Sequence, residues 1–254
     1  MLNPKELDRK IDELFSFRCL PWMVKISNIR RKDKFLAKLK RLQLSIYQLD
    51  HSLESNWKVP KKQLKDDWKS INSDLREFGI RKKERERLCR PIRQYERHEL
   101  RLRRGKTPMD LPMQYLYFYK SCDVKLMREL IYRADDELDL KLSRRDWYTF
   151  DLITEVNDDI EDVYEDIHTY NGNRLLFEIH TRGHHSARYL YHEFLSSTLE
   201  EFQDRRTGAL TKAQKKVKKL TLDIGFETLV LLKKQLKRKK ISRISKAIVL
   251  KKVY

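Results

Sequence analysis

The sequence predicts an all-α fold, and three observations carry that expectation. Only six Gly and six Pro interrupt 254 residues, so few positions force a turn. Apolar residues recur at helical spacing through long stretches, as in Phe35, Leu36, Leu39, Leu42, Ile46, Leu49 and Leu53. No run shows the period-two alternation of a strand, and no internal repeat is present. A chain of this length can bury a sizeable core as one large or two small domains. The patterns add up to a single bundle of about eight helices.

The elements follow in order. Asn3 is placed as an N-cap and Pro4 as the first helical position of a helix ending near Phe17. A second helix covers 30–53, and a third covers 61–78 and stops at Gly79. A highly charged helix covers 81–104, with a kink or break at Pro91 and a stop at Gly105. Gly105-Lys106-Thr107-Pro108 is the best linker candidate. It would divide a basic N-terminal region, 1–105, from a helical region, 106–254, within one continuous domain. One helical pattern then runs over 112–142. Ser143 with Asp146 three residues on forms a capping-box signal for a helix reaching Thr169. Asn171-Gly172-Asn173 breaks the pattern. A helix over 174–206 with a kink at Gly183, a Thr207-Gly208 break and a last helix over 211–239 complete the chain.

Cys19, Cys89 and Cys122 are odd in number and lack CxxC spacing, which fits free thiols in a reducing compartment. Leu14–Val24 is broken by Arg18 and Pro21 and does not read as a secretory core, and no stretch has the apolar length of a membrane span. These points predict a soluble cytoplasmic protein, with a peripheral position on the inner face of the membrane compatible. GxGxxG, P-loop, HExxH and GxSxG motifs are lacking, and Cys122 has no base pattern beside it.

The most informative segment is 135–166, where thirteen acidic residues meet only Lys141, Arg144 and Arg145, in a chain of net charge +19. Like charge at this density on helices is destabilising. Placed on a helix at 100° per residue, Asp151, Glu155, Asp158, Asp159, Asp162, Glu165 and Asp166 share one arc. Ile153, Val156, Ile160, Val163 and Ile167 form the adjoining apolar face. Asp158, Asp162 and Asp166 stack at i, i+4 and i+8, so their carboxylates can converge on cations. Carboxylate oxygens, waters and substrate phosphates are the donor set Mg²⁺ prefers. Asp135, Asp136 and Asp139 make a DDxxD on the preceding helical stretch. With a turn near Ser143, Asp136 and Asp158 would be offset by about 10 Å along an antiparallel pair and could face one cavity. The plainer alternative is a solvated acidic face.

The run Asp158-Asp159-Ile160-Glu161-Asp162-Val163-Tyr164-Glu165-Asp166, followed by Gly172 and Arg174, resembles the second aspartate-rich motif of the class I isoprenoid synthases. Trans-prenyltransferases carry DDxxDxxxD and then Gly-Lys. Here Gly172-Asn173-Arg174 displaces the basic residue by one position. The same residues resemble the terpene synthase metal triad, with Asp158, Asp162 and Asp166 as ligands. Asp135, Asp136 and Asp139 resemble the first motif, although 23 residues separate Asp135 from Asp158, whereas the family's two motifs lie far apart.

That resemblance implies an atypical, short member: an all-α bundle around a central cavity, with Mg²⁺ holding a prenyl diphosphate. Asp158, Asp159 and Asp162 would then be central to catalysis. Lys120, Lys125, Arg128, Arg174 and Arg188 are its diphosphate candidates. Charge on the departing diphosphate would be stabilised by metal and cations. Tyr115, Tyr117, Phe118, Tyr119, Tyr132, Tyr148 and Phe150 could wall an apolar pocket. Whether the reaction is ionisation or condensation stays open, as does a homodimer.

Other patterns compete. Glu165 and His168 form one ExxH, and Glu178, His180, His184 and His185 follow; a di-iron bundle needs two such motifs. The tract 81–104 mixes Arg and Lys with Glu84, Glu86, Glu96 and Glu99, which suits a salt-bridged surface helix. The tract 212–252 is purer in Lys and interleaves Leu229, Val230, Ile244, Ile248 and Val249, which suits an anionic membrane surface. The net charge also admits the alternative function, an all-helical nucleic-acid-binding protein without catalysis.

Overall fold

The computed structural model describes residues 4–204 and 209–237, and the described residues form helices and loops with no strand. The expected Thr207-Gly208 break and the basic tail beyond Lys237, including Ile244, Ile248 and Val249, lie outside them. Eleven α-helices follow one another: α1 Pro4–Phe17, α2 Leu20–Ile26, α3 Lys32–Ser55, α4 Lys61–Arg76, α5 Lys82–Leu102, α6 Met113–Lys120, α7 Cys122–Ala134, α8 Leu138–Lys141, α9 Tyr148–Glu161, α10 Arg174–Asp204 and α11 Lys212–Gln235. Short 3₁₀ turns occupy Pro108–Asp110, Arg144–Trp147, Asp162–Tyr164 and Asp166–His168.

The chain divides into two compact units interleaved in sequence. The first unit holds the described residues up to Gln94 together with Cys122–Leu140. The second holds Tyr95–Ser121 and the described residues from Lys141 onward. Each is built around its own buried helix face.

In the first unit, α3 packs along α4 and also meets α1, α2 and α7. Leu39, Leu42, Ile46, Leu49 and Leu53 are buried, as their spacing predicts. Each such side chain contributes roughly 1.5–3 kcal/mol on leaving water. Polar pins fix the register of α3 on α4: Ser45 donates to Asp74 at 2.6 Å, and Arg41 pairs with the same carboxylate at 3.1 Å. Arg93 lies 3.9 Å over the Trp68 ring, a cation–π contact.

In the second unit, α9 is the central element. It packs against α11, α6 and α10, and eleven of its fourteen residues are buried. The apolar face of Ile153, Val156 and Ile160 enters the core as expected. The polar positions are buried too, so the helix satisfies them locally or through its neighbours. Thr154 donates to the Phe150 and Asp151 carbonyls at 3.0 and 2.9 Å, and Asn157 donates to Thr228 of α11 at 3.0 Å.

Several expectations needed correction. The single pattern over 112–142 is three helices. Ser121 is buried between α6 and α7, and its hydroxyl donates to the Tyr117 and Phe118 carbonyls at 3.2 and 3.1 Å. The capping box at Ser143 forms, with the Ser143 N–H donating to Asp146 at 2.8 Å, but it opens a 3₁₀ turn before α9. The helix expected to reach Thr169 ends at Glu161 and gives way to two 3₁₀ turns. The α2 helix was not foreseen. Pro91 is accommodated inside α5, and Gly183 breaks α10 with φ +80°.

α10 and α11 meet at Gly225, where an added Cβ would lie 2.4 Å from Leu199 Cδ2 and 3.1 Å from Leu199 Cγ. The clash includes the branch point of the side chain, which has little room to turn away. Gly225→Ala is expected to destabilise the fold by about 1–3 kcal/mol. Adding Leu199→Ala to it should recover part of that loss, as read by chemical denaturation of the two variants and the double variant.

Candidate functional site

The acidic segment of the second unit is neither a uniform solvated stripe nor a uniform inward one. Asp151, Glu155, Asp159 and Asp166 are buried. Asp158 is half-buried, while Glu161, Asp162 and Glu165 are exposed. The change from α-helix to 3₁₀ turns after Glu161 is what moves Asp162 and Asp166 off a single helical line.

Asp159 anchors the arrangement. Its carboxylate forms a close ion pair with Lys120 at the end of α6. It also accepts from the Tyr117 hydroxyl at 2.8 Å and from the Arg174 backbone N–H at 3.1 Å. The Tyr117 hydroxyl meets that of Tyr191 at 2.6 Å. Burial alone would lower the Lys120 pKa, but the charge of Asp159, with Glu99 and Asp166, overrides it and raises the ammonium well above its ordinary value. Tyr117 and Tyr191 are likewise pushed well up, first by burial and then by the Asp159 charge.

Asp166 sits on the other side of the same turn. Asn173 donates to its carboxylate at 2.8 Å and to the Asp159 carbonyl at 2.7 Å. Thr169 and Asn171 donate to Asp166 at 3.2 and 3.1 Å. Burial still raises the Asp166 pKa, against the lowering effect of Asn173 and Lys120. The Asn171-Gly172-Asn173 breaker is therefore the strap that fixes the end of the acidic segment. Gly172 is needed there: its N–H donates to Glu99 at 3.2 Å, and a Cβ would fall 2.8 Å from the Glu99 Oε1.

Asp162 is the group left in excess. Desolvation by the surrounding protein, then the charges of Asp166, Asp158, Glu165 and Glu161, push its pKa up to about 7. Because the residue is exposed, water weakens the burial part, and the crowding of carboxylates is the part that persists.

The remaining predicted site residues fall as follows. Asp135, Asp136 and Asp139 belong to the first unit. Asp135 is buried and accepts the Asn28 backbone N–H at 2.7 Å, which ties down the loop before α3. Asp136 and Asp139 are exposed. Lys125 and Arg128 lie on α7, also in the first unit. Arg128 is buried, donating to the Arg18 carbonyl at 2.9 Å and to Met23 Sδ at 3.0 Å. Arg174 is buried and clamps the loop before α6: it pairs with Glu178 at 3.1 Å and donates to the Pro108 carbonyl at 3.2 Å and to the Leu111 carbonyl. Arg188 is exposed on α10, beyond the break at Gly183.

Among the aromatic candidates, Tyr117 and Phe150 are buried in the second unit, and Tyr132 is buried in the first. Phe118 stacks on Tyr148 at 5.9 Å and Tyr115 on Tyr119 at 4.7 Å. Glu165 and His168 are exposed, and His184 and His185 lie on helix just past Gly183, not on a loop. None of the three cysteines is in a disulfide, and burial pushes the Cys89 thiol up to about 11.

Two members of the network were not foreseen. Tyr191 looked like one aromatic among many on α10. Glu99 looked like a surface partner in the Arg-rich tract, yet it is buried, and its pKa rises to about 7 through burial, against the pull of Lys120, Arg103 and the Gly172 N–H. No sequence signal separated it from Glu84, which pairs with Arg133 at 2.7 Å at the surface of the first unit.

Among the described residues, no three His, Cys, Asp or Glu side chains are already gathered as a metal-binding group. The fit of a divalent cation is therefore one of partial preparation. Asp158 and Asp162 stand in the acidic crowd at the rim, and Asp166 is held beside them by amide and hydroxyl donors. No protein-family model, curated protein or solved structure matches the chain.

Two outcomes are expected. Lys120→Met strands the buried Asp159 charge and should cost about 3–5 kcal/mol in denaturant unfolding, with Lys120→Met/Asp159→Asn recovering much of it. Glu99 binds its proton more tightly folded than unfolded, so its contribution to stability falls as pH rises from about 4.5 to about 7. Glu99→Gln should flatten the stability profile across that window.

Proposed function

We propose that the chain is a Mg²⁺-dependent enzyme of the class I isoprenoid synthase type, which ionises or condenses a prenyl diphosphate. The observation that carries this reading is the crowding of Asp158, Glu161, Asp162, Glu165 and Asp166 around the end of α9 and the 3₁₀ turns that follow it, where desolvation and then the neighbouring charges raise the Asp162 pKa. The all-helical architecture and the resemblance of residues 158–174 to the family's second aspartate-rich motif support it.

In this reading Asp158 and Asp162 are the principal holders of Mg²⁺, with Asp166 fixed beside them by Asn173 and Thr169. The metal supplies charge neutralisation for the departing diphosphate. The role of Asp159 is positional, since Lys120, Tyr117 and the Arg174 N–H already engage it. Lys120 thereby holds α6 against the acidic segment, and its charge also reaches Asp166. Arg174 sets the start of α10 through Glu178 and the Pro108 and Leu111 carbonyls.

The test is release of diphosphate from geranyl, farnesyl or geranylgeranyl diphosphate, with and without Mg²⁺. Release should require Mg²⁺ and fall by about 100-fold or more in Asp158→Ala and in Asp162→Ala, the size of effect seen when one charge-stabilising group is lost. Absence of turnover on all three, together with no thermal stabilisation by any of them with Mg²⁺, overturns the reading. Salt-steep RNA binding that both variants leave untouched would favour the nucleic-acid alternative.

A further inference from the structure

On the second unit, α10 beyond Gly183 and the C-terminal half of α11 border an open groove of about 510 Å³. Three large apolar side chains stand out of this region into solvent: Tyr189 at 63% exposure, Phe226 at 55% and Val230 at 68%. Tyr189 and Val230 both line the groove, with Leu229 and Leu232 at its floor. Phe226 is one turn before Val230 on α11, so the two share a face, and Lys233 continues that face at i+7 from Phe226. Arg188 and Lys233 flank the groove, each of them on its lining.

We propose that this face docks the protein on an anionic phospholipid bilayer. Exposed apolar groups that sit between cations are what an interfacial surface requires: the apolar groups enter the acyl boundary and the cations meet lipid phosphates and carboxylates. The charge runs the same way along the chain. From Lys233 to residue 254 the sequence carries ten Lys and Arg and no Asp or Glu. The acids nearby are Glu193 on the groove, Asp223 and Glu227 on α11, and the acidic segment at the C-terminal end of α11, where Gln235 donates to the Glu161 carbonyl at 3.1 Å.

A nucleic acid is the competing partner for the same charge. Tyr189 and Phe226 could stack on bases, but the most exposed of the three apolar groups is the aliphatic Val230, which has no stacking face and gains only by leaving water. That favours the bilayer. The proposal is independent of the metal-site reading, because it needs neither Mg²⁺ nor a prenyl diphosphate.

The experiment is co-sedimentation of the full chain with phosphatidylcholine vesicles, with and without phosphatidylserine, for the parent and for Val230→Glu, Tyr189→Ser and Lys233→Glu. All three positions are exposed, and circular dichroism checks that helix content is unchanged. Binding is expected only where phosphatidylserine is present. Each variant should weaken it by about tenfold, through lost apolar insertion or reversed charge. Parent binding that ignores phosphatidylserine overturns the proposal. So does binding that falls with salt but is equal in the parent and all three variants, since the chain beyond Lys237 would then act alone. Tight RNA binding by a parent that does not sediment with either vesicle assigns the face to nucleic acid and overturns it as well.

Discussion

The second unit depends on one buried ion pair, Lys120 with Asp159. Around it, Tyr117 of α6 and the backbone at the start of α10 converge on one carboxylate of α9, and Tyr191 of α10 meets the Tyr117 hydroxyl. A charge pair out of water is stable only when its remaining hydrogen-bonding capacity is filled, and here the Tyr117 hydroxyl and the Arg174 N–H take up that of the carboxylate. The geometry of the acidic segment follows from this. With Asp159 fixed inward, its neighbours Asp158 and Asp162 are turned toward the rim. Asn173 ties the Asp159 carbonyl and the Asp166 carboxylate together, so the segment ends in a defined place.

The site combines two electrostatic environments a few residues apart. One is neutralised, with Lys120 facing Asp159. The other is crowded with like charge, with Asp158, Glu161, Glu165 and Asp166 around Asp162. Separation of this kind is common where a protein handles charge that a ligand will bring or remove. The basic balance of the rest of the chain sets a second, independent tendency, toward anionic surfaces, and the exposed groups of α10 and α11 give it a place.

Much of the helix inventory was legible in the sequence. The α3 face from Leu39 to Leu53 and the α9 face from Ile153 to Ile160 recur at helical spacing, and both are buried as that spacing demands. Gly79, Gly183 and the Ser143–Asp146 box marked real boundaries because each has a local physical cause. The breaks that escaped notice have tertiary or weak local causes. The break at Ser121 falls on a common residue with no distinctive spacing. The end of α9 at Glu161 lies inside a run that remains periodic to Ile167, so a helical projection carried the aspartates too far along one line. For the site, residue type pointed to Asp158, Asp162 and Asp166 but could not tell an anchored carboxylate from an open one. The ties of Asp159 to Lys120, Tyr117 and the Arg174 N–H carry no sequence pattern that would have shown them. Glu99 was hidden because burial, which gives it its character, is decided by Gly172 some seventy residues away.

The raised pKa of Asp162 has a consequence for any cation that would arrive there. Desolvation and the surrounding carboxylates favour the protonated form more than at a free carboxylate, and a metal could take an oxygen of that form only by expelling its hydrogen. Occupancy is thus tied to acidity: loading grows easier as the medium becomes more alkaline. In weakly buffered solution the event would acidify its surroundings, and its measured heat would change with the ionisation enthalpy of the buffer chosen.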